Sequence, residues 1–378
     1  MMQRMRIVAD ANISYVKDAF GPLGDVITLR SSEITPDAVR DADFLLTRST
    51  VKVNEKLLRG SRVKFVATAT IGIDHIDGAW LDQAGIRWAS APGSNADSVV
   101  QWFAATVARV PDLARRQLGI VGVGNVGKRI ERLWRALDVP PPLLCDPPRA
   151  RAEGNEGFVS LDEILARCDL VTLHVPLIKD GIDQTVDLVD ARRLRPDAWL
   201  VNACRGEVLD SASALAVANP ILLDVFAGEP SPDPALVARA VIATPHIAGH
   251  SLDGKANGTE MIYAAACDFL GRAPKWRAAD SLPRPAERIV VRAREDGVLA
   301  ALEAVAAGYD PAADDAALRA LVAGPADARG AAFRRYRENY PERRELARRG
   351  VHMTLPLPRA IAMLNRYGTR VEPSPATR

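Results

Sequence analysis

From Leu118 the chain runs through an apolar tetrapeptide, Leu118-Gly119-Ile120-Val121, into Gly122-Val123-Gly124-Asn125-Val126-Gly127, and then into an amphipathic stretch that ends near Leu137. A buried strand, a glycine-rich turn and a helix in that immediate order leave few folds open, because backbone must pass where a Cβ would not fit. Gly122 allows the tight turn, Gly124 admits a pyrophosphate close to the backbone, and Gly127 lets helix pack on strand. The helix opens at Asn125 and Val126, so its free N–H groups and positive dipole end are available to phosphate.

Around this unit, short apolar runs alternate with helix-like segments. Before it come Ile7-Val8-Ala9, Val26 to Leu29, Phe44 to Thr47, Phe65 to Thr68 and Ile86 to Ala89. From it onward come Leu118 to Val121, Leu143 to Cys145, Leu170 to His174, Trp199 to Asn202, Ile221 to Val225 and Val241 to Ala243. Runs this short and this apolar read as parallel strands buried on both faces, with crossover helices between them. The expected fold class is therefore α/β, with a doubly wound parallel sheet over residues 95–254 and a second α/β unit over 1–94. A helical segment at about 255–280 is expected to return to the first unit and complete it. Asn95 to Val110, apolar at Val99, Val100, Phe103, Ala104 and Val107, reads as the connecting helix.

Composition shifts toward Ala, Arg and Pro after Leu282, which marks a small α+β module over 281–378. Within it, Ile289 to Arg292 reads as a strand, Asp315 to Val322 as a helix, and the tail from Glu372 as disordered. The stretch Phe333 to Arg349 is basic and aromatic, but Glu338, Glu342 and Glu345 interleave at helical spacing, so it reads as a solvated helix rather than a nucleic-acid surface. The net charge of +2 over 378 residues gives no global attraction to nucleic acid or anionic membrane. No run approaches the length of a membrane span, and the N-terminus has no signal-like apolar core, so a cytoplasmic protein is expected. Cys145, Cys168, Cys204 and Cys267 are dispersed, without CxxC or metal-ligand spacing, and read as buried thiols.

Asp146 ends the apolar run that follows the glycine turn, 19 residues after Gly127. A carboxylate there accepts hydrogen bonds from an adenosine ribose and repels a 2′-phosphate, which favours NAD as cofactor over NADP, although Arg149 stands close by. Three further residues follow successive strands, and ligands of such sheets bind at the carboxyl ends of strands. These are Arg205 in Asn202-Ala203-Cys204-Arg205-Gly206, Glu229 in Gly228-Glu229-Pro230, and His246 in Pro245-His246-Ile247-Ala248-Gly249. His246 is one of five histidines and suits a general base. Glu229 on its other ring nitrogen would fix the tautomer, and the fork of Arg205 would hold a carboxylate. Together they suit hydride removal from an acid with a hydroxyl next to its carboxylate.

On these residues the chain resembles the D-2-hydroxyacid dehydrogenase family, which uses Arg, Glu and His in this order behind a GxGxxG fold. Asp146-Pro147-Pro148-Arg149 and the Gly254-Lys255 run after His246 resemble a branch acting on a phosphorylated hydroxy acid. The resemblance implies a flavodoxin-like substrate domain and a C-terminal module that makes a homodimer. It implies catalytic roles for Arg205, Glu229 and His246, and substrate contacts from Ser49, Thr70 and the position of His250. It places Asp146, Val175, Ala203, Cys204, Arg205, Asp224 and Gly249 along the NAD site. The chain departs from the family pattern at His250, where tyrosine is usual, at Val175, where threonine is usual, and in a shorter segment from Gln101 to Leu118. Arg48, Lys52 and Lys255 are candidate cations for a substrate phosphate. The alternatives are the same chemistry on another 2-hydroxy acid, such as 3-phosphoglycerate, or a non-enzymatic NADH-sensing corepressor.

Overall fold

The computed structural model describes residues 4–283, 289–291, 296–346, 351–353, 357–369 and 371–373. The chain forms two compact units, Met1–Asn95 with Ser251–Arg284, and Ala96–His250 with Pro285–Arg378.

The first unit holds five parallel strands: β1 (Met5–Asp10), β2 (Gly24–Leu29), β3 (Phe44–Thr47), β4 (Phe65–Thr68) and β5 (Arg87–Ala89). They lie in the order β2-β1-β3-β4-β5, the flavodoxin arrangement. Every residue of β3 and β4 is buried, which is why both runs are apolar throughout rather than alternating. The helix Leu252–Phe269 covers one face of this sheet. Its Ile262, Tyr263, Ala266 and Cys267 pack with Ile7, Phe44 and Phe65, and each large side chain so buried contributes about 1.5–3 kcal/mol. Ser251 caps the helix, its Oγ accepting from the Gly254 N–H at 2.8 Å.

The second unit carries six parallel strands: β6 (Leu118–Val121), β7 (Leu143–Cys145), β8 (Leu170–Leu173), β9 (Trp199–Asn202), β10 (Ile221–Leu223) and β11 (Ile242–Ala243). Their order is β11-β10-β9-β8-β6-β7. Outside β7, where a nucleotide-binding sheet has a further strand, the Val159 N–H donates to the Leu144 carbonyl at 2.8 Å. Strand order reverses between β6 and β8, so the crevice at the carboxyl end of β6 is the switch point at which such sheets bind nucleotides.

The C-terminal residues belong to this second unit. β12 (Ile289–Val291), β13 (Val351–Met353) and β14 (Val371–Pro373) form a parallel sheet, accompanied by helices Gly297–Ala306, Pro311–Val322, Ala326–Glu338 and Pro358–Tyr367. Helix Gly297–Ala306 packs on helix Ala96–Ala108, in which Val100, Trp102, Phe103 and Val107 are wholly buried. The Ser98 hydroxyl donates to Glu345 at 2.6 Å, and the Gln101 amide donates to the Ala307 carbonyl at 2.9 Å.

Two sequence expectations are corrected here. Arg343, Arg344 and Glu345 are buried at 4%, 5% and 3% exposure, not carried on a solvated helix, because Arg343 Nη2 reaches the Ile247 and Ala248 carbonyls and Glu345 accepts from Ser98. The tail expected to be disordered from Glu372 begins inside β14, whose Val371 to Pro373 pair with β13; residues 374–378 lie outside the described residues. All four cysteines are buried free thiols. Burial pushes the Cys145, Cys168 and Cys204 thiols up to about 11, 12 and 11, far from thiolate reactivity near neutrality. Among the described residues no helix is long and apolar enough to cross a membrane, and no cluster of metal-ligating side chains occurs.

Candidate active site

Each glycine of the turn after β6 has its own steric reason. Gly122 has φ +86°, and a Cβ there would lie 2.6 Å from the His174 carbonyl oxygen and 2.8 Å from the Val175 side chain. A Cβ on Gly127 would meet the Gly122 carbonyl at 2.1 Å, so helix and turn touch directly. Around a Cβ on Gly124 there is no protein atom within 4 Å, which is the open approach a pyrophosphate needs. Helix Asn125–Ala136 starts there with no side-chain cap, leaving the N–H groups at Asn125, Val126 and Gly127 to an anion.

Asp146 accepts from the Val123 N–H at 2.8 Å through one carboxylate oxygen and from the Arg149 N–H at 3.1 Å through the other. It therefore clasps the glycine turn and caps helix Pro147–Glu153, while each oxygen retains a lone pair for further donors such as ribose hydroxyls. Arg149 is held by Glu153 in a two-point pair of 2.8 and 2.6 Å, and it also donates to the Val123 carbonyl at 3.0 Å. The hydrogen bonds that Arg149 donates to Glu153 raise its pKa above the usual value. With that charge matched inside the chain, the site fits NAD better than a 2′-phosphorylated cofactor. The Val175 backbone lies close enough to the Cys204 thiol to offset part of the rise that burial imposes on it.

Arg205 follows β9 on a loop locked by Asn202, whose amide donates to the Arg205 carbonyl at 2.9 Å and whose oxygen accepts from the Cys204 N–H at 3.1 Å. Ala203 and half-buried Arg205 lie on this loop. Gly206 lets it press against the loop after β10: a Cβ there would fall 1.9 Å from the Phe226 carbonyl carbon. The loop after β10 carries Glu229, and one carboxylate oxygen accepts from the Phe226 N–H at 2.9 Å. The other lies 2.6 Å from His246 Nδ1, so Glu229 and His246 form a dyad and Nε2 is left for a substrate. Burial by itself would raise the Glu229 carboxyl; the charge and hydrogen bond of His246, with Arg337, outweigh it and hold the carboxyl below its usual value.

Asp224, expected beside the cofactor, has a carboxylate engaged in a hydrogen-bond network within the chain. One oxygen accepts from the Thr244 hydroxyl at 2.6 Å and the Ile247 N–H at 2.8 Å, the other from the Ala248 N–H at 2.9 Å. Thr244 in turn receives the Trp102 indole N–H at 2.9 Å. This buried network fixes the loop that bears His246 and leads to Gly249. Burial pushes Asp224 up to about 6, against the opposing pull of His246 and its hydrogen bonds. Residues 337–343, which sequence reading left on a solvated helix, complete the support. Arg337 donates to the His246 carbonyl at 3.2 Å, and Arg343 donates to the carbonyls of Ile247, at 3.3 Å, and of Ala248. Only their place in a basic, aromatic stretch hinted at this. His250 stands edge-on to Tyr340, ring centres 5.7 Å apart.

In the first unit, Ser49 is exposed on the turn after β3, and the Thr70 hydroxyl bonds Thr68 at 2.7 Å and donates to the Gly72 carbonyl at 2.9 Å. His75, not singled out from sequence, joins them through a 2.9 Å bond to Thr68. Of the candidate phosphate cations, Lys52 is exposed. Lys255 is half-buried, and its pKa is lowered by burial and by the charge of Arg48, so those two cations lie within each other's field. Arg48 donates to the Asn12 carbonyl at 3.1 Å.

Fold and dyad together define a class, and the comparisons agree. The NAD-binding domain of the D-isomer specific 2-hydroxyacid dehydrogenases matches residues 95–248. An NAD⁺-bound 3-phosphoglycerate dehydrogenase of Entamoeba histolytica is similar in fold, with TM-score 0.60 and 21% identity over 71% of this chain and 95% of that one. A D-lactate dehydrogenase of Aquifex aeolicus complexed with NAD and lactic acid gives 0.58 and 21% over 70% and 96%. The chain belongs to the D-2-hydroxyacid dehydrogenase family. Within that family it is 46% identical to the erythronate-4-phosphate dehydrogenase of Salinibacter ruber over 91% of this chain and 93% of the relative. It is 43% identical to the enzyme of the same name from Ectopseudomonas mendocina over 96% and 99%.

Proposed function

We propose that the protein oxidises 4-phospho-D-erythronate to (R)-3-hydroxy-2-oxo-4-phosphonooxybutanoate with NAD, a step toward pyridoxal 5′-phosphate. The observation that carries the chemistry is the 2.6 Å contact between Glu229 and His246 Nδ1, which leaves Nε2 to meet a hydroxyl. The near full-length similarity to erythronate-4-phosphate dehydrogenases supports the substrate, and does not favour a sensor without turnover. Arg205 holds the substrate carboxylate and polarises the carbonyl oxygen as it forms. His246 Nε2 takes the hydroxyl proton, and Glu229 stabilises the resulting imidazolium. NAD supplies the hydride acceptor at C2. Gly122, Gly124, Gly127 and Asp146 hold that cofactor, with Val175, Ala203, Cys204, Asp224 and Gly249 alongside.

Ser49 and Thr70 supply hydroxyls to the substrate, and His250 takes the place of the family's tyrosine. Arg48 and Lys255 supply positive charge for the phosphate. The family resemblance supports a homodimer made through the C-terminal module and a cytoplasmic location. NADH formation from 4-phospho-D-erythronate, set against 3-phosphoglycerate and D-lactate, tests the substrate. A preference for the four-carbon phosphate is expected, and equal or greater turnover of another acid overturns the assignment.

A further inference from the structure

His246 occupies a backbone conformation that side-chain-bearing residues avoid, with φ +54°. Such a conformation persists only where its surroundings over-determine it. The His246 N–H is shared between the carbonyls of Asp224 at 2.7 Å and Thr244 at 2.9 Å. Its own carbonyl is met by Arg337 Nε at 3.2 Å. Arg337 comes from helix Ala326–Glu338, where its guanidinium also lies over the Phe333 ring at 5.7 Å. A half-buried cation needs compensating groups, and those around this one supply them. Burial opposes its charge, as does Arg205, while Glu229, Asp224 and Glu338 favour it.

We propose that Arg337 is a positioning residue of the active site, which fixes the His246 loop through its carbonyl and sets the charge balance of the Glu229–His246 dyad. The inference rests on His246 being the proton acceptor. Among the described residues, Asp224 at the end of β10 and Arg337 on helix Ala326–Glu338 act on the dyad, and Arg205 on the loop after β9 and Glu338 act on Arg337. Arg337 is the cation whose hydrogen bond reaches the His246 backbone itself. The positive charge helps hold Glu229 as the carboxylate, and like charges repel, so taking it away makes an imidazolium beside it easier to form.

The test compares Arg337→Met, Arg337→Gln and Arg337→Lys with wild type. In R337M both the hydrogen bond and the charge are gone. The expected result is a kcat lower by roughly tenfold to a hundredfold, the effect of losing an ionic hydrogen bond, with KM for NAD little changed. The acid limb of the pH–rate profile moves to higher pH, as does the pH at which the His246 ring protonates, read from its NMR signals without substrate. R337K restores the acid limb but not full kcat. R337Q, which keeps a donor without charge, shows the displaced limb and carries the same test should R337M not fold. A ring titration and acid limb unchanged in R337M or R337Q overturn the proposal, even if kcat falls, since that is what mere support would give. Because the ring is read without substrate, a wild-type enzyme inactive on every acid offered refutes the proposed activity while this measurement still decides Arg337.

Discussion

Replacing Glu229 by glutamine keeps the shape of the dyad and removes only its charge and its symmetry as an acceptor. In the native protein both carboxylate oxygens accept, one from the Phe226 N–H at 2.9 Å and one at His246 Nδ1 at 2.6 Å. Glutamine has one acceptor and one donor group for the same two positions. If its oxygen faces Phe226, its NH₂ faces Nδ1 and forces the proton onto Nε2, the nitrogen that must receive the substrate's proton. If it turns, NH₂ meets the Phe226 N–H and two donors oppose each other. Leaving one partly buried group unmet costs about 1–3 kcal/mol, and losing the anion opposite the imidazolium costs about 1.5–3 kcal/mol more. Part of the two overlaps, so about 3–5 kcal/mol is expected on the barrier, or roughly 10²- to 10⁴-fold in kcat. An aspartate-to-asparagine change in the serine-protease triad falls at about the upper end. The assay is NADH formation at saturating NAD and hydroxy acid, with NAD affinity measured separately by calorimetry and expected near wild type. A kcat within about tenfold of wild type, less than about 1.4 kcal/mol, refutes the argument that Glu229 sets the tautomer.

Two further substitutions probe the cofactor turn and the buried network. Asp146→Ala removes both the clasp on Val123 and the cap on Arg149, so NAD affinity falls, the NAD-over-NADP ratio narrows, and stability drops by about 1 kcal/mol; an unchanged ratio in paired titrations shows that other groups set the preference. Asp224, pushed by burial from the usual 3.8 up to about 6, binds its proton more tightly folded than unfolded. Its ionisation therefore opposes folding, and stability declines as pH rises from about 4 to about 6, then levels off. Asp224→Asn abolishes that slope. It also loses about 1–3 kcal/mol in denaturant titrations, because an amide cannot accept from Thr244, Ile247 and Ala248 together.

Local rules made much of this molecule readable in advance. The strands were visible because β3, β4, β6 and β8 are buried along their whole length, which leaves an unbroken apolar run. The glycine turn was visible because each glycine answers to a contact within the same strand–turn–helix unit or its neighbour. Arg205, Glu229 and His246 could be singled out as candidates because sheets of this class place ligands beyond strand ends. The partners of the dyad could not. Trp102 reaches Thr244 across 142 residues of chain, Arg337 reaches His246 across 91, and Ser98 reaches Glu345 across 247. No periodicity reports such pairs, so interleaved charges at 333–349 suggested water where the fold supplies carbonyls. The pairing of Arg149 with Glu153 is one turn of helix, and could have been read from spacing alone.

The carbonyls of His246, Ile247 and Ala248 are satisfied by arginines that come from beyond residue 330. This chain's nucleotide-binding half, joined to a relative's C-terminal segment without these arginines, would carry a loop whose carbonyls had lost their donors. Recombination between relatives is thus constrained by a contact that spans 91 residues of chain. The C-terminal segment and the loop it underpins have to be inherited as a pair.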